Sequence, residues 1–451
     1  MVRFVDLFAG VGGIRIGFEQ ACHDLGINSE CVFSSEIDPD ACETYRLNFG
    51  ERPSGDIKQY VDSIPDFDFL LAGFPCQPFS YAGKREGFGD TRGTLFFEIE
   101  KILQRNKPKG FLLENVRGLT THDGGRTLAT IIRALENLGY SVTYLLLNSS
   151  DFSAPQNRVR LYILGVLNEQ IQISLLSDKG AADSHKFKNR AFEMPLFFPA
   201  NGHTIYKVVR DILEARPHEK YNCSPDFIKR LGKAVDGDFN SLHGVRMIDY
   251  RGGNSLHSWD IGIKGECSND ERAFMNALIG NRRKKVFGTH QDGKSLSLEQ
   301  IQTFYNHPAL ENVMQGLIKK GYLKCIDDKY KPVCGNMSFE VFKFLDPDSI
   351  SITLTTADSH KLGIVQNGLP RRITPRECAR LQGFPEEFIL NPNDTAAYRQ
   401  FGNSVTVPVV KAVLTDLFEN NSDALLKSAS TKKKPSTQNK KAEEMPMQVV
   451  A

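Results

Sequence analysis

Apolar and polar positions along residues 4–165 follow two alternating rhythms. Short, nearly continuous apolar runs at Phe4–Phe8, Cys31–Glu36, Phe69–Gly73, Gly110–Glu114, Tyr144–Leu147 and Leu161–Gly165 have the length of buried strands. Ile14–Cys22, Pro39–Asn48, Leu95–Arg105 and Thr127–Leu138, lying between them, read as helices. The βαβα order predicts an α/β fold with an open, mostly parallel sheet and helices on both faces. Ligands of such sheets bind beyond the carboxyl ends of the strands.

The rhythm breaks after about Val166. Residues 170–370 are polar and irregular, with weaker helical signals at Ile205–Ala215 and Pro225–Ala234. Within 270–345 the segments Glu271–Leu278, Ser297–Phe304 and Ala309–Lys320 read as three helices. Gly321-Tyr322-Leu323 follows, then two short β-like runs around Asp327-Asp328. Three helices and a hairpin suggest a winged helix-turn-helix. Helices are expected again at Pro375–Leu381 and Val405–Leu417, and the Lys-, Ser- and Thr-rich stretch 428–451 reads as a disordered basic tail. The expected organisation is therefore 1–169, a first α/β domain; 170–370, a second, smaller region; and 371–420, a segment returning to the first.

Composition narrows the class. Of 451 residues 40% are hydrophobic and 24% charged, as in a folded soluble chain. No apolar run approaches the roughly 20 residues of a membrane helix, so no membrane partner is expected. Nine scattered cysteines without a C-x-x-C pair argue against a zinc site, and no metal is expected. A net charge of +2 does not by itself announce a nucleic-acid binder; the runs Arg282–Lys285, Arg371-Arg372 and Lys432–Lys434 concentrate the cations.

The first strand ends in Asp6-Leu7-Phe8-Ala9-Gly10-Val11-Gly12-Gly13, a Gly-rich turn that lets backbone approach a ligand. Its spacing is not that of a dinucleotide loop. Glu36, at the end of the second strand, stands where an acidic group meets ribose hydroxyls. Gly55-Asp56-Ile57 closes a third side, with the Asp56 carboxylate placed for an adenine amino group and Phe8 offering an aromatic face. Ile37 and Ile57 complete the expected pocket. A nucleoside without phosphates, such as S-adenosylmethionine, fits this set better than a dinucleotide.

The strand Phe69–Gly73 runs into Gly73-Phe74-Pro75-Cys76-Gln77-Pro78-Phe79-Ser80. Two prolines brace the loop and hold the thiol of Cys76 in one orientation. This octapeptide resembles the catalytic loop of the DNA (cytosine-5) methyltransferases. Other segments resemble the same family in the same order. These are the loop Asp6–Gly13, Glu114-Asn115-Val116, Gln156-Asn157-Arg158-Val159-Arg160, Arg371–Phe384, and Gly402-Asn403-Ser404-Val405, the last returning beside the cofactor loop. The middle, about 170–370, lies outside this resemblance in detail.

The resemblance implies a Rossmann-like S-adenosylmethionine-dependent fold with a smaller target-recognition domain. It also implies methyl transfer from S-adenosyl-L-methionine to C5 of a flipped-out cytosine in double-stranded DNA. Cys76 is then the nucleophile, Glu114 the acid toward N3, Arg158 and Arg160 the groups that pin the base carbonyl, Gln156 a support for the flanking backbone, and Asn403 a cofactor neighbour. Gly83–Gly89, with Lys84 and Arg85, would close over the DNA. In the middle, Arg246, Arg251, Asn254 and His257 offer donors for base edges, and Arg282–Lys285 offer phosphate contacts. A monomer in the bacterial cytoplasm, nucleoid-associated and paired with a separately acting cognate restriction endonuclease, completes the expectation. Three alternatives stand beside it. They are methylation of RNA, as in some relatives; an inactive DNA-binding regulator with the same fold; and a nicotinamide oxidoreductase.

Overall fold

The computed structural model describes residues 1–75, 94–175, 207–288, 294–334 and 339–426. Cys76, the Gly83–Gly89 loop and the 428–451 tail lie outside the described residues. The first region is β1 (Val2–Leu7), α1 (Gly13–Asp24), β2 (Ser29–Ser35), α2 (Pro39–Phe49), β3 (Phe69–Gly73), α3 (Thr94–Asn106), β4 (Gly110–Val116), α4 (Arg126–Asn137), β5 (Tyr140–Asn148) and β6 (Val159–Leu167). The six strands stand in the order β2-β1-β3-β4-β6-β5. All run in one direction except β6, which is antiparallel to both its neighbours. The mostly parallel sheet expected from the apolar runs is thus present, with every strand and helix of that reading in place. Parallel strands buried on both faces lose the polar alternation of half-exposed ones, which is why these runs are continuous.

Two apolar layers flank the sheet. One joins Val5, Leu70, Leu113 and Ile163 to α3 and α4. The other joins Phe4, Phe69, Leu112 and Leu164 to α1 and to helix α12, named below. In the second layer the ring of Phe18 lies 4.5 Å from Phe4, 5.4 Å from Phe69 and 5.9 Å from Phe418. The end of the described chain therefore packs into the core of its beginning.

The middle is less irregular than its sequence suggests. It contains α5 (Val209–Ile212), α6 (Pro225–Ala234), β7 (Arg246–Met247), β8 (Ser255–Leu256), α7 (Asn269–Asn281), β9 (Leu296–Ser297), α8 (Leu298–Gln302), α9 (Leu310–Lys320), β10 (Leu323–Ile326), β11 (Lys329–Pro332), β12 (Lys343–Phe344), β13 (Leu362–Gln366) and β14 (Leu369–Arg372). The helix expected over Ile205–Ala215 is a single turn, and its residues 205–206 lie outside the described ones. Helices α7–α9 and the sheet β10-β11-β9 enclose their own core around Trp259, Phe274, Leu296 and Leu317. The β10–β11 turn places Asp327 and Asp328 at φ 50° and 55°, a left-handed pair suited to a tight hairpin. A five-stranded sheet, β14-β13-β12-β7-β8, is not expected from the sequence; three of its strands are two residues long.

The chain returns through α10 (Pro375–Leu381), α11 (Asp394–Asn403), α12 (Val407–Asn420) and α13 (Ser422–Leu426). Arg371, in one of the runs that concentrate the cations, is not a surface residue. It is 3% exposed and forks onto Glu377, with Nη1–Oε2 at 2.9 Å and Nη2–Oε1 at 2.6 Å. Glu377 also accepts from the backbone N–H groups of Thr374, in the capping box of α10, and of Glu214. Removing one partner of a buried, fully bonded pair leaves the other charge uncompensated. Glu377→Ala should lower stability by about 3–5 kcal/mol, read from urea midpoints. A loss below about 1 kcal/mol would show that Arg371 finds another partner at little cost.

Candidate active site

A cavity of about 630 Å³ opens at the carboxyl ends of β1–β4. That volume is in the usual range for a site holding a small molecule. One wall is the Gly-rich turn. Phe8 and Gly10 both take φ 55° and Gly12 takes φ 84°, so the chain leaves β1 in a left-handed curl. At Gly12 a Cβ would sit 2.3 Å from the Phe49 ring, and at Gly13 it would sit 2.8 Å from Ser404 Oγ. Glycine is required at Gly12 by both conformation and space, and at Gly13 by the close approach of the returning segment.

Glu36 pins this turn from the neighbouring strand. Its Oε2 accepts from Gly10 N–H at 2.8 Å, and its Oε1 accepts from the N–H groups of Ile37 and Asp38, both at 2.8 Å. The carboxylate is therefore held in one position at the cavity wall. Ser54 bridges Ser35, and Asp56 caps the short turn Ile57–Gln59 by accepting from Lys58 N–H. Phe8, Gly10, Gly13, Glu36, Ile37, Asp56, Ile57 and Asn403 all line the cavity. Of the expected cofactor residues Gly12 alone does not; it faces Phe49 and Tyr45. Arg399 also lines the cavity, donating to Asp38 and Asp40 at the rim.

The opposite wall carries the candidate chemistry. Glu114 stands level with Gly73 in the parallel β3–β4 register, and Arg160 pairs with Val116 across β4 and β6. The Arg160 Nε is 3.2 Å from Glu114 Oε1. Burial raises the Glu114 carboxyl above its ordinary value, against the lowering pull of Arg160 and Arg158. Gly73, Phe74 and Pro75 line the cavity, so the chain enters Cys76 from its wall. The amide of Asn115 donates to Phe74 O at 3.0 Å and fixes that entry, a role that residue type alone does not reveal.

Arg158 also lines the cavity, but its bonded donors, like those of Gln156, reach other segments. The Arg158 guanidinium, 2% exposed, donates to Leu354 O at 2.7 Å, to Gly402 O at 3.4 Å and to Ser404 O. Burial and the Arg160 charge push its pKa below the ordinary guanidinium value. Gln156 is fully buried and does not line the cavity; it donates to Leu381 O and accepts from Leu354 N–H at 2.7 Å. Both tie the active-site strand to the segment 351–356 and to the returning helices. That segment falls within the irregular middle, yet Leu354, Thr355 and Thr356 line the cavity. Of the donors expected to face DNA, Arg251 and Asn254 are exposed and Arg246 is half-buried. His257, 4% exposed and stacked on Trp259, and Arg282, 3% exposed, are not available to a base edge or a phosphate.

Comparison with known proteins gives a consistent result. The profile of the C-5 cytosine-specific DNA methylases matches residues 2–419, the middle included. The Type II methyltransferase M.BanI of Aneurinibacillus aneurinilyticus is 65% identical over 424 residues, 94% of this chain and 97% of that protein. M.HgiCI of Herpetosiphon aurantiacus is 62% identical over 420 residues, 93% and 98% of the two chains. M.NlaIV of Neisseria lactamica is 42% identical over 444 residues, 91% and 97%.

Behind the Gly-rich turn lies a buried carboxyl with few partners. Asp6 is fully buried; its Oδ1 has no hydrogen-bond partner among the described residues, and its Oδ2 accepts from Tyr45 OH at 3.4 Å. Burial raises its pKa from 3.8 to about 7, against the opposing pull of Arg15. The folded chain thus keeps a proton that the unfolded chain has released above about pH 4. The contribution of Asp6 is most favourable below that pH and is lost as pH rises to about 7. Asp6→Asn should stabilise the chain at about pH 8 by roughly 1–4 kcal/mol and flatten the fall between about pH 4 and 7 in urea midpoints. An unchanged slope would mean that Asp6 is ionised in the folded chain.

Proposed function

The chain belongs to the C-5 cytosine-specific DNA methylase family and is a DNA cytosine-5 methyltransferase, and we propose that it acts through a covalent Cys76 adduct on a flipped-out cytosine. The observation that carries this reading is the convergence of Glu114, Arg160 and the entry to Cys76 on one cavity whose far wall is the Glu36-pinned turn. The wall suits S-adenosylmethionine, with Glu36 toward the ribose, Asp56 toward the adenine edge and Phe8 toward its face. When bound, S-adenosylmethionine supplies an electrophilic sulfonium methyl.

Cytosine C5 is a weak nucleophile until something adds at C6. The Cys76 thiolate forms a bond to C6, and the electron pair displaced onto the ring is met at N3 by a proton from Glu114. Burial favours the protonated form that such a donor needs. Arg160, in contact with Glu114, orients that carboxyl and faces the base carbonyl. Arg158 and Gln156 are proposed to hold the walls together rather than touch the base. After methylation solvent water takes the C5 proton, the pair left behind re-forms the C5–C6 double bond and expels Cys76 as thiolate, and the N3 proton returns to Glu114. The target base must leave the duplex to reach this cavity, at a cost of a few kcal/mol.

We further propose that the middle chooses the DNA sequence, and that the chain is the modification enzyme of a restriction-modification system. The names of its relatives support that role. A cognate endonuclease would act separately, and the bacterial cytoplasm is the proposed location. No helix among the described residues is long and apolar enough to cross a membrane.

The nucleophile is tested by Cys76→Ser and by DNA carrying 5-fluorocytosine. The variant should lose at least roughly a thousandfold in methyl transfer while still binding duplex, since a serine oxygen is far less ionised near neutral pH. The fluorinated base cannot lose its C5 substituent as a proton, so wild type should form a denaturant-stable adduct and Cys76→Ser should not. Transfer within tenfold of wild type would sink the assignment. For the cofactor wall, Glu36→Ala should weaken S-adenosylmethionine binding by about 1.5–3 kcal/mol in calorimetry. Unchanged affinity would remove Glu36 from the pocket.

A further inference from the structure

We propose that the α7–β11 unit meets duplex DNA through the basic end of α7 and the Tyr250–Asn254 loop mounted on it, not through α9 and the β10–β11 hairpin. This rests on the DNA methyltransferase reading above and says which surface of the middle touches the substrate.

Topology alone would suggest the opposite. The order α7, β9, α8, α9, β10, β11 is that of a helix-turn-helix with a wing, and such units insert the second helix of the pair into the groove with its N-terminal residues first. In this chain the exposed first turn of α9 carries Glu311, and the hairpin tip carries Asp327 and Asp328. Asp328 and Glu311 lie near one another, since both act on Tyr330, whose hydroxyl is raised by burial, by Cys325 and then by these two charges. At that leading turn and at the hairpin tip, the parts such a unit would insert first, phosphates would meet like charge, although the helix and hairpin as wholes carry more lysines than carboxylates. Lys329 flanks the hairpin tip opposite Ile326, while Lys319, Lys324 and Lys331 lie farther along the helix and the hairpin shaft, with Lys324 opposite Lys331.

The other end of the unit carries cations with no carboxylate in the run. Residues 281–288 read Asn-Arg-Arg-Lys-Lys-Val-Phe-Gly, past the last turn of α7. Lys284 and Lys285 are exposed, and Val286 beside them is 80% exposed. Arg282 is turned the other way. It is buried, and its Nη2 donates to Tyr250 O at 3.4 Å. A Cβ on Gly252 would lie 3.8 Å from Ile279 Cγ2, so the loop backbone rests on the end of α7.

The loop has a fixed base and an open tip. Asp249 Oδ1 accepts from Ser258 N–H at 2.7 Å, Asp249 O accepts from Cys334 Sγ at 3.0 Å, and the His257 ring is bonded to Ile248 O. Arg251, Gly252, Gly253 and Asn254 are all exposed above this base, with the Arg251 guanidinium 5.7 Å from the centre of the Tyr250 ring. Arg246 on β7 is opposite Lys343 on β12, a like-charge pair facing the same way. Asp249 is buried, with its Oδ1 turned inward to Ser258 N–H. Lys284 and Lys285 are thus placed to hold phosphates, while Arg251 and Asn254, on a tip that is fixed at its root, are placed to read base edges.

The test uses the full chain and a mixed-sequence duplex, with binding followed by fluorescence anisotropy over a salt series. Lys284→Glu/Lys285→Glu should lower affinity at least about tenfold near 0.1 M salt and reduce the log–log salt slope by about 2, close to 0.9 for each phosphate no longer neutralised. Lys324→Glu/Lys329→Glu should stay within about twofold of wild type. Arg251→Ala should leave S-adenosylmethionine binding and the thermal midpoint unchanged. In DNA from cells expressing that variant, 5-methylcytosine should spread to sites differing by one base, consistent with losing about 1–3 kcal/mol of base discrimination. The proposal is overturned if the hairpin pair loses as much affinity as the α7 pair, if the α7 pair keeps the wild-type slope, or if Arg251→Ala keeps the wild-type sites. Wild type that binds duplex but deposits no 5-methylcytosine would instead overturn the function proposed above, and the anisotropy comparison would still decide between the two surfaces.

Discussion

A buried guanidinium holds the cavity closed. Arg158 precedes β6 at the edge of the cavity wall; its Nη1 and Nη2 donate to carbonyls of Leu354 and of Gly402 and Ser404, two segments far away in sequence, while its Nε has no partner among the described residues. A charge removed from water in this way costs several kcal/mol unless its donors are met. Here three carbonyl dipoles meet it, and they can do so only if both segments lie in register beside the sheet. Gln156, two residues earlier, reinforces the same geometry through Leu354 N–H and Leu381 O. Once Ser404 is held there, Gly13 must lack a side chain, and the Gly-rich turn, the returning helix α12 and the wall at Leu354–Thr356 share one fixed arrangement.

That arrangement separates two carboxyl groups by purpose. Glu36 accepts three backbone N–H bonds, which hold it as a fixed acceptor. Glu114 has Arg160 for a partner but is buried enough that its neutral form is favoured beyond the ordinary. One side of the cavity therefore holds a carboxylate fixed by backbone donors, and the other a carboxyl whose neutral form burial favours. The two arginines of a single extended segment divide in the same way. Arg160 faces the cavity acid, and Arg158, two residues away, spends its donors on main chain. Spacing of two predicts a common face for both, and both line the cavity; they differ in the partners their guanidiniums reach.

Much of this is legible from residue order, for definable reasons. Strands buried on both faces leave continuous apolar runs, so β1, β3, β4 and β6 are readable, and the Gly-rich turn and the acid following the edge strand β2 follow from where such sheets bind ligands. The two-residue strands β7, β8 and β12 carry no periodicity at all. Helix α11 escapes because most of its residues from Ala396 to Gly402 are buried, which removes the polar face that marks a surface helix. Arg371 looks like a surface cation because Glu377 is six residues away, a spacing outside helix pairing; the partners meet because one stands in β14 and the other sits in the first turn of α10. The wall at Leu354–Thr356 acts largely through main chain, and main-chain contacts leave no signature in side-chain type.

The cores show how sequence choice can vary without disturbing chemistry. One apolar cluster runs from Val11 and Ile16, beside the Gly-rich turn, through Val209, Leu354, Ile364 and Ile373 to Phe401, so much of the nominal middle belongs to the wall of the active site. The α7–β11 core around Trp259 and Leu317 is a separate cluster, as is the one around Phe227, Met247 and Val365. A substitution in these outer cores changes the mounting of the Tyr250–Asn254 loop, while the contacts of Arg158 stay with residues of the inner cluster and its flanks. The boundary that matters for function therefore does not fall where the sequence turns irregular. It falls between apolar clusters, with Leu362 and Ile364 of β13 inside the line and the helical unit outside it.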